Sequence, residues 1–267
     1  MSKLTLGYSP CPNDTFVFGA LAQQLIPGAP AFAERLEDIE TLNQLALAGQ
    51  LDVAKVSFHA LAHLRRDYCL LHSGGALGRG CGPLVVAREA VEPAELHTLK
   101  IAVPGRLTTA VLLLRLFDPR IGAGPLELVV MPFHRIMEAT QRGEVDAGLI
   151  IHESRFTYEA HGLTKVVDLG EWWERETGLP VPLAGICARA DLDPGLIADV
   201  ERSIRASVQY AFDHPEDSRA YVRAHAQEMA DQVCDAHIRL YVNKLSLDIG
   251  GEGMRAIERL VAPDSSA

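Results

Sequence analysis

Along the first half of the chain, short stretches in which apolar and polar residues alternate are followed by longer ones in which apolar residues return every three or four positions. Residues 3–8 alternate as a half-buried strand does, residues 15–25 follow as a helix with Asn13 and Asp14 as candidate N-caps, and residues 35–39 read as a second strand. In TLNQLALAGQLDVAKVSFHAL, Leu42, Leu45 and Ala46 recur at helical spacing, Gly49 can end the helix, and residues 51–56 return to strand. This alternation predicts parallel strands joined by crossover helices.

The same plan recurs in residues 134–156, HRIMEATQRGEVDAGLIIHESRF. Ile136, Met137 and Thr140 mark the helical face, Gly143 stands where Gly49 stood, and Glu144-Val145-Asp146-Ala147 answers Gln50-Leu51-Asp52-Val53. Upstream, LTLGYSPCPNDTFVF and KIAVPGRLTTAVLLL are each a strand, a Pro/Gly loop and a helix start. Two copies of one plan imply two α/β domains of the same type.

The polar, proline-bearing residues 88–98 mark the expected boundary, and residues 180–188 the return crossing. Beyond Pro194 the pattern is helical, with Ile197, Val200, Ile204, Val208 and Ala211 on one face, a tail expected to pack on the first domain. The expectation is therefore an α/β, two-lobed fold with a ligand cleft between lobes: residues 1–92 and 189–267 as lobe one, residues 93–188 as lobe two. Ligands in such folds sit beyond the carboxyl ends of parallel strands.

Composition narrows the function. With 48% hydrophobic residues among 267, the chain can bury a sizeable core. A net charge of −10 without a basic stripe argues against nucleic acid as a partner. The amino terminus enters strand pattern without an apolar export segment, and apolar runs such as residues 110–114 fall far short of the roughly 18 residues that span a bilayer. Five scattered cysteines without a C-x-x-C pair suggest neither a disulfide framework nor zinc. The expectation is a cytoplasmic protein acting on a small molecule, with no membrane partner.

In GLIIHESRFTY, residues 148–158, a buried strand reads as delivering His152 at its carboxyl end, and Ser57 falls near the matching end in the first lobe. A strand-end histidine can equally be a satisfied side chain. HES opens like H-E-x-x-H, but Phe156 stands where the second histidine is required, so no metal site follows. His59 and His63 share a helix face without a completing ligand. SGGALGRGCGP, residues 73–83, fits neither nucleotide-loop pattern; its glycines suit tight turns near the hinge or let the backbone approach a ligand. Thr108, Thr109 and Ala110 open a helix directly after a strand, where amide and hydroxyl donors favour an anion; capping explains one threonine and does not require two. Asn13, Asp14 and Thr15 hold the same place in lobe one, and Trp172 and Trp173 suit packing or a pocket wall. Residues 117–127, FDPRIGAGPLE, match no motif.

The blocks GYSPCPNDTFVFGAL, AKVSFHAL, SGGALGRGCGPLVVAR, AVPGRLTTA and GLIIHESRFTY together resemble the 1,4-dihydroxy-6-naphthoate synthase family of the futalosine route to menaquinone, over almost the whole chain. The resemblance implies a periplasmic-binding-protein-like fold used as a lyase. It would convert cyclic dehypoxanthinylfutalosine to 1,4-dihydroxy-6-naphthoate with release of dihydroxyacetone, and without a cofactor. It also implies His152 as the proton acceptor, with Lys55, Val56, Ser57, Thr109 and Ala110 binding substrate. Two rivals remain: a non-catalytic solute-binding module, because the fold is shared, and the chorismate dehydratase of the same pathway.

Overall fold

The computed structural model describes residues 3–123, 128–226 and 230–262. Residues 124–127 of the unmatched segment 117–127 lie outside them. Contacts divide the chain into two compact units, Met1–Gly78 with Pro182–Ala267, and Arg79–Val181.

The first unit begins with β1 (Leu4–Tyr8), α1 (Pro12–Ala22), β2 (Phe32–Leu36), α2 (Ile39–Leu47), β3 (Val53–Ser57), α3 (Phe58–Leu64), β4 (Tyr68–Leu70) and β5 (Ala76–Gly78). The second unit holds β6 (Leu84–Ala87), β7 (Ile101–Val103), α4 (Thr109–Phe117), β8 (Val129–Val130), α5 (Phe133–Arg142), β9 (Ala147–Ile150), α6 (Ser154–Thr157), β10 (Thr164–Asp168) and α7 (Leu169–Thr177). The chain returns through β11 (Val181–Arg189) to α8 (Pro194–Asp213), α9 (Pro215–His225), α10 (Asp231–Tyr241), α11 (Lys244–Leu247) and α12 (Gly250–Val261).

The two sheets follow one design. The first runs β2-β1-β3-β11-β4 with β5 on β11, the second β10-β6-β9-β7-β8. In each, three parallel strands (β2-β1-β3 and β8-β7-β9) meet an antiparallel one, β11 or β6. The sheets are thus mixed, where the sequence pattern predicted parallel strands. The register of the repeat is preserved: Leu6 faces Val53 and Ile101 faces Ala147. One residue before each pair, a carboxylate holds the start of the central strand. Asp52 accepts the Thr5 amide (2.9 Å) and Asp146 the Lys100 amide (2.8 Å). Gly49 and Gly143 both take left-handed φ, +66° and +74°, where a Cβ would be strained, and so end α2 and α5 at matching points.

The expected divisions at 92/93 and 188/189 differ from this division for one reason. A largely buried strand does not reveal in sequence which sheet it joins, because its partners are distant. β6 pairs with β9 and β10, and β11 pairs with β3 and β4. The helical tail does pack on the first unit, where Val200, Ile204, Val208 and Ala211 are fully buried with Leu6, Phe18 and Ile186. Two boundaries shift. α1 starts at Pro12 and not at residue 15, because proline pre-sets φ at the first helical position. The stretch 35–39 is split, because Asp38 caps α2 by accepting the Glu40 and Thr41 amides, so the strand ends at Leu36.

Candidate functional site

In the first unit, polar side chains gather at the carboxyl ends of β1 and β3. All five β3 residues are buried, and alternation puts Lys55 and Ser57 on one face and Val56 on the other. Lys55 is only 3% exposed, so its ammonium needs a counter-charge. Asp14, 2% exposed in the first turn of α1, supplies it. The Asp14 carboxylate also accepts from Ser9 Oγ (2.7 Å), the Ser9 amide (3.2 Å) and Asn13 Nδ2 (2.7 Å). With its Nδ2 so engaged, Asn13 turns Oδ1 to the buried His237 of α10, whose Nε2 donates at 2.9 Å. His237 therefore carries its proton on Nε2.

Ser57 is held by Asn43 of α2. Asn43 Oδ1 accepts the Ser57 amide (2.9 Å) and Asn43 Nδ2 donates to Ser57 Oγ (3.2 Å). Because the hydroxyl oxygen accepts there, its hydrogen can be given to another oxygen. Nearby, Tyr8 Oη donates to Glu34 and lies 2.6 Å from Tyr221 Oη; burial, then these partners, pushes the Tyr8 phenol far above its ordinary value, so it stays protonated.

In the second unit, Thr108 is the N-cap of α4. Its Oγ accepts from the Val111 amide (3.3 Å) and donates to Gly105 O (2.8 Å). That accounts for one threonine. Thr109 and Ala110, both buried, are the first two helical residues, whose amides lie among the donors an α-helix leaves without intrahelical partners.

His152 is not the last residue of a strand. β9 ends at Ile150, and His152 sits two residues on, in a turn, with left-handed φ of +57°. Among the described residues Gln24 is the other non-glycine with positive φ. Such a setting costs a β-carbon-bearing residue about 1–2 kcal/mol and persists where the surrounding structure holds it. The imidazole packs edge-on to Phe133 at the start of α5, with centroids 4.9 Å apart.

Other candidates resolve as packing. Trp173 is buried and donates to Pro180 O (3.1 Å), and Trp172 meets Phe117 edge to face. The glycine-rich stretch carries the chain out of the first unit at Gly78. Within it, Gly82 (φ +135°) lies so close to Gly170 that a Cβ would sit 2.8 Å from its Cα. His59 and His63 lie on α3 with rings 5.8 Å apart.

Residues 4–263 match the menaquinone biosynthesis family model. The chain belongs to this family. A family relative from Thermus thermophilus, named 1,4-dihydroxy-6-naphtoate synthase, is 53% identical over 98% of this chain and 94% of its own length. The crystal structure of an Archaeoglobus fulgidus protein is similar with a TM-score of 0.90 and 34% identity, over 97% of this chain and 95% of that one. A Candida albicans protein of the generic periplasmic binding protein fold is 12% identical with a TM-score of 0.67, over 100% of this chain and 92% of its own. The architecture is periplasmic-binding-protein-like, as the resemblance implied.

Within this family member, sequence reasoning placed Lys55 and Ser57 on a strand end but missed what holds them. Asn43 carried a signal: it is a polar residue on the apolar face of α2, beside Leu42 and Ala46. Asp14 was weighed as a cap, although Pro12 ahead of it favours an earlier helix start. His237 gave no signal, because its partner Asn13 lies at the other end of the sequence.

Proposed function

We propose that this protein is a 1,4-dihydroxy-6-naphthoate synthase, a carbon–carbon lyase of menaquinone biosynthesis that converts cyclic dehypoxanthinylfutalosine to the naphthoate and dihydroxyacetone. The reading is carried by the 53% identity to a synthase so named over nearly the full length of both chains. A cytoplasmic setting belongs to the same proposal. Among the described residues no helix is long and apolar enough to cross a membrane.

In this reading His152 is the general base. Imidazole titrates near working pH and can take a proton without a metal. Lys55, Val56, Ser57, Thr109 and Ala110 bind the substrate. Ser57 can donate its hydroxyl hydrogen to a substrate oxygen, and the α4 amides at Thr109 and Ala110 suit an oxyanion or carboxylate. The base removes a proton, the carbon–carbon bond to the sugar-derived fragment breaks, and aromatisation of the ring that remains supplies driving force.

The test is incubation of purified protein with cyclic dehypoxanthinylfutalosine and detection of the naphthoate by mass. His152→Asn should fold, bind substrate and lose about 10²–10⁴-fold in kcat, the usual contribution of a general base. No product from the wild-type protein would refute the assignment; near wild-type kcat in the variant would move the base elsewhere.

A further inference from the structure

The strained turn at His152 needs something to hold it. Behind it stands α6, a single turn of four residues, too short to persist on its own propensity. Two local backbone bonds tie the turn to it: the Arg155 amide to His152 O at 3.4 Å and the Phe156 amide to Glu153 O at 2.9 Å. Long-range support comes through the side chain of Arg155. Its Nη1 donates to Gly82 O at 2.9 Å, and its Nη2 is ion-paired and hydrogen-bonded to Asp168 Oδ2.

Asp168 in turn is fixed by its other oxygen. Oδ1 accepts the Gly170 and Glu171 amides, at 2.9 and 3.1 Å, and caps α7. Gly170 packs so closely on the segment before β6 that an added Cβ would lie 1.8 Å from Cys81 O. Arg155 therefore joins three pieces of the second unit: the α6 turn, the chain at Gly82 and the start of α7. The pair is largely out of water, with side chains 16% and 3% exposed, so it is not a screened surface contact.

We propose that Arg155, held by Asp168 and Gly82, is a positioning residue for His152: it anchors the one-turn helix behind the histidine and so keeps the imidazole in its left-handed setting. This rests on His152 being the base. The guanidinium does not touch the reacting atoms in this scheme; it fixes where the base points, and a misplacement of an ångström is enough to cost catalysis heavily.

Arg155→Met keeps most of the side-chain volume and removes the fork of donors. It should lower kcat by about 10²-fold, the cost of an ångström-scale misplacement, with KM changed far less. Arg155→Lys, which can pair with Asp168 but cannot serve Gly82 O as well, should recover part of the loss. In a His152→Ala background, Arg155→Met should cause no further loss, because the group it positions is gone. The imidazole nitrogen shifts of His152, read by NMR in the variant and the wild type, should differ. Should Arg155→Met fail to fold, Asp168→Asn carries the same tests with smaller disturbance.

Unchanged kcat in folded Arg155→Met, with His152→Ala crippled, would overturn the positioning role and leave the base assignment standing. An equal fall in both backgrounds would make Arg155 act independently of His152 and also overturn it. Full activity in His152→Ala would instead remove the base assignment on which the proposal rests.

Discussion

Lys55 is a charge placed where a strand offers it no water, and its state depends on one carboxylate. Asp14 neutralises it while holding Ser9 and Asn13, so the pair fixes the loop after β1 as well as β3. Asp14→Asn keeps the shape and removes the charge, leaving a buried ammonium without a counter-ion; breaking such a pair costs about 3–5 kcal/mol. Urea unfolding should show that loss, and Lys55→Met in the Asp14→Asn background should return part of it. A variant as stable as the wild type would mean that water reaches Lys55. Single residues of the site were legible wherever local pattern decided their place, as with Ser57 at the end of a buried run. Of their partners, Asn43 was legible only as a polar residue on an apolar helix face, and Asp14 and His237 act across distances that no local window contains. The conformation of His152 was not legible: nothing in GLIIHES announces a left-handed backbone.

Elements followed the sequence where one end carried its own chemistry. Gly49 and Gly143 end α2 and α5 as their spacing predicted, and Thr108 caps α4. At the other end of α4, Asp118 is the C-cap residue. Its carboxyl is held below the ordinary carboxylate range first by the Arg120 hydrogen bonds, and His97 lies 3.7 Å away. A pKa lowered by folding gives stability that is present above the unfolded value and is lost as pH falls through the folded one. Asp118→Asn should therefore be less stable than the wild type at neutral pH. The gap in urea midpoint should close on acidification toward and below the ordinary carboxylate pKa. A gap independent of pH would show that the carboxylate's charge plays no part in holding α4. β6 and β11 were the elements least legible, because a wholly or mostly buried strand has no polar face to orient it and its sheet is chosen by distant partners.

For the whole molecule, the alternation of strand and helix and its repetition were enough to give two α/β units, and the blocks of residues carrying the resemblance covered nearly all the chain. The net charge raises a question that local chemistry must answer. The naphthoate product carries a carboxylate, and a protein of net charge −10 repels it at long range. Under the proposed function, binding then needs short-range donors, for which the Ser57 hydroxyl, and separately the Thr109 hydroxyl and α4 amides, are the proposed candidates. A ligand that binds only the folded state stabilises it by RT ln(1 + [L]/Kd), about 2.7 kcal/mol at a hundredfold excess over Kd. The naphthoate, kept anaerobic, should thus raise the melting temperature of the wild type in proportion to the logarithm of its concentration. Dihydroxynaphthalene without the carboxylate should do so less. Ser57→Ala and Thr109→Val should each shift the dose curve to weaker binding, by about 0.5–1.5 kcal/mol for a lost neutral hydrogen bond and more where the partner is the carboxylate. An undisplaced curve in Thr109→Val would take the Thr109 hydroxyl out of the site; the same result in Ser57→Ala would take the Ser57 hydroxyl out. If both curves stay in place while the wild type is stabilised, the product binds through groups other than these two hydroxyls.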